Sequence, residues 1–184
     1  MPFKQTVIPG LLLFEPKVFK DDRGYFYESF NEKTFNDAGI VSHFVQDNQS
    51  FSKKNTIRGL HYQLNPHAQS KLVRVILGEV LDVAVDLRIN SPTFGKHFAV
   101  TLSADNHLQL YIPRGFAHGY SVLSDTAIFF YKCDGFYNKE NERGILYNDP
   151  FLNINWMVDD RSAIVSDKDK LNSTFKLAEM NFSL

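Results

Sequence analysis

The run from residue 80 to residue 88 constrains this chain most. Leu81, Val83, Val85 and Leu87 alternate with Asp82, Ala84, Asp86 and Arg88. A strict period of two gives a strand one buried face and gives a helix none. The preceding run, residues 71–77, is rich in β-branched side chains and stops at Gly78-Glu79, so the two read as a hairpin. Shorter strand candidates span residues 24–30, 57–63, 96–102, 109–112, 120–123 and 127–133. Turn formers separate most of them: Asn90-Ser91-Pro92, Ala104-Asp105-Asn106, Pro113-Arg114-Gly115, Ser124-Asp125 and Asp134-Gly135. Short strands with turns at such intervals imply an all-β sandwich or barrel, and the jelly roll is the version that encloses a ligand cavity. The 17 Phe and 8 Tyr agree, because aromatic side chains favour strands. Helix is expected only in short pieces, at residues 31–38 with Asn31 as cap and Gly39 as stop, and more weakly at 167–177. No repeat, low-complexity tract or linker divides the 184 residues, so one domain over residues 1–184 is expected.

Charge narrows the partners. With 20 Lys+Arg against 21 Asp+Glu, a nucleic acid or a membrane surface is not expected as partner, although one basic pocket for a phosphorylated ligand remains open. The longest apolar runs, residues 11–14 and 127–131, are far too short to span a bilayer. Residues 1–10 lack the pattern of a signal peptide, and Cys133 is the only cysteine, so a cytoplasmic location is expected.

Two stretches carry chemistry. In Ile57-Arg58-Gly59-Leu60-His61-Tyr62-Gln63, with Lys71 eight residues on, charged groups crowd segments otherwise built for burial. Buried charge is costly unless it has a partner or a ligand. Gly59 can be a bulge, which would change which face Arg58 and His61 share. The second stretch is residues 112–120, with His118 inside it. A metal-binding cupin would place a second His or an acid just after His61. Tyr62 and Gln63 stand there instead, and His67 and His97 lack the spacing, so no metal and no cofactor is expected.

The ordered set of motifs resembles the dTDP-4-dehydrorhamnose 3,5-epimerase family, a metal-free branch of the cupin-like jelly rolls. It runs through Asp22-Arg23-Gly24-Tyr25-Phe26-Tyr27-Glu28, Gln46-Asp47-Asn48-Gln49-Ser50, Ile57-Arg58-Gly59-Leu60-His61 and Gln69-Ser70-Lys71-Leu72-Val73-Arg74. It continues through Ser91-Pro92-Thr93-Phe94-Gly95, the stretch from Ile112 to Gly119, Tyr131-Lys132-Cys133, the stretch from Glu140 to Gly144 and Asn148-Asp149-Pro150. The resemblance implies an all-β, cupin-like jelly-roll barrel with a few short helices, mostly near the C-terminus. It implies inversion of carbons 3 and 5 of dTDP-4-dehydro-6-deoxy-D-glucose for rhamnose synthesis, by His/Tyr proton transfer through an enolate in a homodimer; a relative that inverts only carbon 3 or carbon 5, or a non-catalytic sugar-nucleotide-binding barrel, is the alternative.

By position the resemblance makes His61 the base, Tyr131 the acid, Lys71 the cation near the ketone oxygen and Asp169 the partner that orients His61. Inversion beside a ketone needs such a set, with acid and base on opposite faces and a group to hold the enolate oxygen. One cation at the C4 oxygen can serve both flanking carbons. Substrate contacts carry over to Arg23, Glu28, Gln46, Asp47, Asn48, Arg58, Lys71, His118, Glu142 and Lys168. Asp167 lies close enough to Asp169 to compete for its register, and Glu142 sits in a charged run that also suits a surface. The chain departs from the family after Asn153-Ile154-Asn155-Trp156, where Met157 replaces the usual Pro.

Overall fold

A computed structural model describes residues 2–184. In chain order the strands are β1 (Phe3–Gln5), β2 (Leu12–Phe14), β3 (Phe19–Asp21), β4 (Gly24–Phe26), β5 (Gln46–Lys53), β6 (Thr56–Gln63), β7 (Lys71–Leu77), β8 (Glu79–Asp86), β9 (His97–Ser103), β10 (Gln109–Ile112), β11 (Phe116–Val122), β12 (Thr126–Cys133), β13 (Glu142–Gly144) and β14 (Ile164–Val165). Two short helices, α1 (Glu32–Asp37) and α2 (Asp167–Lys170), and two 3-10 turns complete the elements.

Two sheets face one another in a jelly-roll sandwich. One has the order β1-β2-β10-β7-β12-β5, the other β13-β6-β11-β8-β9, with β14 running parallel to β6. Between them lies a core of Val73, Val75, Leu110 and Phe129 from the first sheet and Val80, Ala84, Phe116 and Val122 from the second. Each fully buried Val, Leu or Phe of this core contributes roughly 1.5–3 kcal/mol. On the outer face of the second sheet, Leu81, Val83, Val85 and Leu87 pack under Trp156, Phe175 and Phe182 of the C-terminal segment. Strand β8 is therefore buried on both faces, whereas its alternation had suggested one. The alternation was real, but its polar row, Asp82 and Asp86, is turned inward rather than to water.

The expected hairpin at Gly78 does not form. Strands β7 and β8 belong to different sheets, and the chain crosses between them at Gly78 with φ +78°. A Cβ there would collide with the carbonyl of Thr126, so glycine is required by space as well as by dihedral. The strand expected at residues 24–30 stops at Phe26 and pairs only with β3, outside both large sheets. The strand expected at 120–123 starts earlier, at Phe116. The expected helix at 167–177 is broken into α2 and a 3-10 turn at Phe175–Leu177. Helix α1 forms as expected, with the Asn31 side chain accepting from the Thr34 N–H.

Met157 has φ +55°, a value that the proline ring forbids, which accounts for the absence of Pro at this point of the chain. The neighbouring Trp156 stays anchored, donating from Nε1 to the Tyr147 carbonyl at 2.7 Å and accepting Ser121 Oγ at its own carbonyl at 2.6 Å.

Candidate active site

The sheets diverge around a cleft of about 830 Å³. Strands β6 and β11 form one wall, and β5, β7 and β12 form the other. Of the residues singled out in the sequence, His61, Tyr131, Lys71, Asp169, Gln46, Asn48, Arg58, His118, Glu142 and Lys168 all line it.

The Gly59 question resolves as a bulge. Register on β11 slips between His118 and Tyr120, so Arg58 and His61, three residues apart, both reach the cleft while Leu60 turns into the outer core. Glycine is needed there: φ is +122°, and a Cβ would come within 2.6 Å of the Gly119 Cα.

Asp169 is the carboxylate that holds His61. Its Oδ1 lies 2.6 Å from His61 Nε2, and its Oδ2 accepts the Gly59 N–H at 3.4 Å. Ser166 caps α2 by accepting the Asp169 N–H, which sets the carboxylate in place, whereas Asp167 points outward to Lys170. Burial opposes ionisation of Asp169, but the His61 hydrogen bond and charge, with the Gly59 and Ser166 contacts, bring its pKa below the ordinary carboxylate value. A carboxylate only accepts, so His61 Nε2 carries the proton and Nδ1 is left as the basic atom.

On the facing wall, burial pushes the Tyr131 phenol up to about 12, so it remains a proton donor through the physiological range. Lys71 Nζ sits 5.8 Å from the Tyr131 ring centroid. Burial lowers the Lys71 pKa, countered by the nearby Cys133, Asp82 and Glu142. His61 and Tyr131 thus stand on different sheets, with room between them for a sugar ring. That is the arrangement a proton-out, proton-in inversion needs.

Other side chains shape the cleft. Gln46, Asn48, Ser50 and Ser52 form the inward row of β5. Ser52 Oγ accepts Arg58 Nε at 3.0 Å, and Ser50 Oγ lies 2.8 Å from Tyr120 Oη. Glu142 accepts from Tyr137 Oη at 2.9 Å and pairs with Lys168 at 2.6 Å. Ser50, Ser52, Tyr120 and Tyr137 were not singled out from the sequence. The period-two polar row 46-48-50-52 was the available signal, but it looks like a solvated face because its outward neighbours, Phe51 apart, are polar too.

Three expected contacts lie outside this cleft. Arg23 sits at the tip of the β3–β4 hairpin, paired with Asp21 at 2.6 Å, and Glu28 follows the hairpin on the surface. The Asp47 side chain takes the outward face of β5 and meets Lys132 at 2.9 Å.

Fold and cleft together define the class: a cupin-like jelly-roll enzyme with an imidazole–carboxylate pair on one wall of its cleft and a tyrosine and a lysine on the other. The particular family comes from comparison with known proteins. The profile of dTDP-4-dehydrorhamnose 3,5-epimerase matches residues 5–177. The Shigella flexneri protein of that name is 59% identical over 166 residues, 90% of this chain and 91% of the relative. The crystal structure of the Elizabethkingia anophelis 3,5-epimerase superposes with a TM-score of 0.91 at 52% identity, covering 95% of this chain and 96% of that one. A Legionella pneumophila 3,5-epimerase solved in complex with dTDP-4-keto-L-rhamnose gives 0.91 at 48% identity, covering 95% and 93%. The chain belongs to the dTDP-4-dehydrorhamnose 3,5-epimerase family and is an isomerase of dTDP-rhamnose biosynthesis.

Proposed function

We propose that this chain inverts carbons 3 and 5 of dTDP-4-dehydro-6-deoxy-D-glucose to give dTDP-4-dehydro-L-rhamnose, with His61 Nδ1 as base and Tyr131 as acid. The observation that carries the reading is the His61–Asp169 pair at 2.6 Å on one wall, opposite Tyr131 and Lys71 on the other. His61 removes the proton beside the ketone, Lys71 holds the enolate oxygen at C4, and Tyr131 returns a proton from the opposite face. The sequence is then repeated at the second carbon. Gln46, Asn48, Arg58, His118, Glu142 and Lys168 hold the sugar and the diphosphate. The Arg58 guanidinium, fixed by Ser52, suits phosphate oxygens. No metal or cofactor enters these steps.

The chain acts as one domain, in the cytoplasm, as a homodimer. Exposed Phe19, Tyr25 and Phe26 on the β3–β4 hairpin supply apolar surface for a second copy. Arg23, at the hairpin tip, and Glu28, just beyond it, then serve the cleft of that second copy rather than their own. Asp47 acts by placing Gln46 and Asn48.

Turnover of the dTDP-keto-sugar in deuterated water tests the reading. Label at carbons 3 and 5, with inversion at both, is the expected result. Label at one carbon alone would make the chain a mono-epimerase, and label at neither would leave a sugar-nucleotide-binding barrel.

A further inference from the structure

A second carboxylate–imidazole pair lies beside the first: His118, placed above among the groups that hold the substrate, and Asp82, which the steps above leave without a part. His118 is the register partner of His61 across β6 and β11, and its Nε2 lies 2.8 Å from Asp82 Oδ2. Asp82 is completely buried, and its other oxygen, Oδ1, has no hydrogen-bond partner among the described residues. A buried, half-satisfied carboxylate costs stability, and an apolar side chain between Val80 and Ala84 would pack better. The residue therefore has a use other than folding.

That use follows from which nitrogen it holds. A carboxylate only accepts, so His118 Nε2 carries a proton. Burial lowers the His118 pKa. Asp82 works against this, while Lys71 from β7 and His61 from β6 add to it. The ring is thus neutral at physiological pH, and Nδ1 keeps its lone pair. Among the described residues nothing hydrogen-bonds to Nδ1, and His118 lines the cleft. The Phe129 ring stacks beside the imidazole at 5.9 Å between centroids.

We propose that Asp82 is a positioning residue of the epimerase site, fixing the His118 tautomer so that Nδ1 accepts a hydrogen bond from a hydroxyl of the bound sugar. This rests on the proposed function and deepens it. The site then reads a hydroxyl beside the reacting carbons with an acceptor, while Lys71 supplies the donor for the ketone oxygen. The two imidazoles divide the work: His61, about one-third exposed, exchanges protons, and His118, sealed beneath, holds its proton still.

The first test uses the unaltered protein labelled with ¹⁵N-histidine, with His118 assigned by its loss in His118→Asn. Neutral His118 with its proton on Nε2 at and above physiological pH is the expected spectrum. A charged ring, or a proton on Nδ1, overturns the proposal. The second test is Asp82→Asn. Its amide can donate to Nε2 and drive the proton to Nδ1, the kind of tautomer error that disables a catalytic dyad while leaving its geometry intact. Expected are a shift of the His118 signals to the Nδ1–H form and a fall of about tenfold or more in kcat/KM. In the His118→Asn background the same change should cost nothing further. Activity within twofold of the parent, or additive losses, would refute the assignment. If Asp82→Asn does not fold, the spectrum of the unaltered protein still decides. Failure of the epimerase reading looks different: the unaltered protein would exchange no label, whatever its His118 tautomer.

Discussion

Acid and base can be separated experimentally at the residue level. His61→Asn is expected to lower label exchange at both carbons by about 10²- to 10⁴-fold, the usual worth of a general base, with nucleotide binding retained. Near-normal exchange would move the base elsewhere. Tyr131→Phe keeps nearly all the ring volume, so the fold should survive. With the donor gone, the proton should mostly return from the face it left, and exchange should outrun inversion. Equal losses in both rates would instead assign Tyr131 to deprotonation or binding. The pH profile reports Lys71. Its pKa is lowered by burial, so its charge is lost as pH rises through a value below that of a free lysine, whereas Tyr131 titrates only near 12. Activity should therefore fall on the alkaline side as the Lys71 ammonium is lost. Lys71→Arg, which stays charged, should move that limb upward even as kcat drops. An unmoved limb would show that another group controls it.

Elements place these residues through one irregularity. The bulge at Gly59 puts Arg58 and His61 on the same side of β6, and its φ of +122° and closeness to Gly119 leave no room for a side chain. Gly59→Ala should cost roughly 1–3 kcal/mol of backbone strain, read as a lowered Tm. It should also displace His61, and a shift of about 1 Å can cost roughly 10²-fold in rate. A variant with parental Tm and turnover would show that the bulge has no bearing on the site. The sequence raised this bulge as an open possibility, because a lone Gly in a strand marks one only when its cross-strand partner is known. Strand β5 was overlooked for a different reason: Gln46, Asn48, Ser50 and Ser52 face a wet cleft and Asp47, Gln49, Phe51 and Lys53 face outward, so one Phe alone does not make an apolar row to announce it.

Across the whole molecule, the open matter is the hairpin that leaves its own cleft. Arg23→Ala should weaken turnover by roughly 10- to 100-fold, the worth of a charge-assisted hydrogen bond. If the hairpin serves a second copy, co-expressing Arg23→Ala with His61→Asn builds mixed dimers in which one cleft has both residues intact. Activity of the mixture should then exceed the sum of the two parents. Activity no greater than that sum would return Arg23 to its own chain or to the surface.

Local pattern alone determined much of this protein. Period-two alternation and turn residues announced β7, β8, β10 and β12 and the all-β class, because side-chain direction along a strand depends only on neighbouring residues. The Arg58 to His61 motif and Lys71 stood out by residue type, whereas Tyr131 sits in an aromatic run and was singled out only by the family resemblance. Tertiary structure decided the rest. It sent β7 and β8 to different sheets, buried both faces of β8, and chose Asp169 over Asp167 as the partner of a histidine 108 residues away. It also joined Asp82 to His118 across 36 residues. Such pairings depend on which strands lie side by side, and a chain's local periodicity carries no information about its distant neighbours.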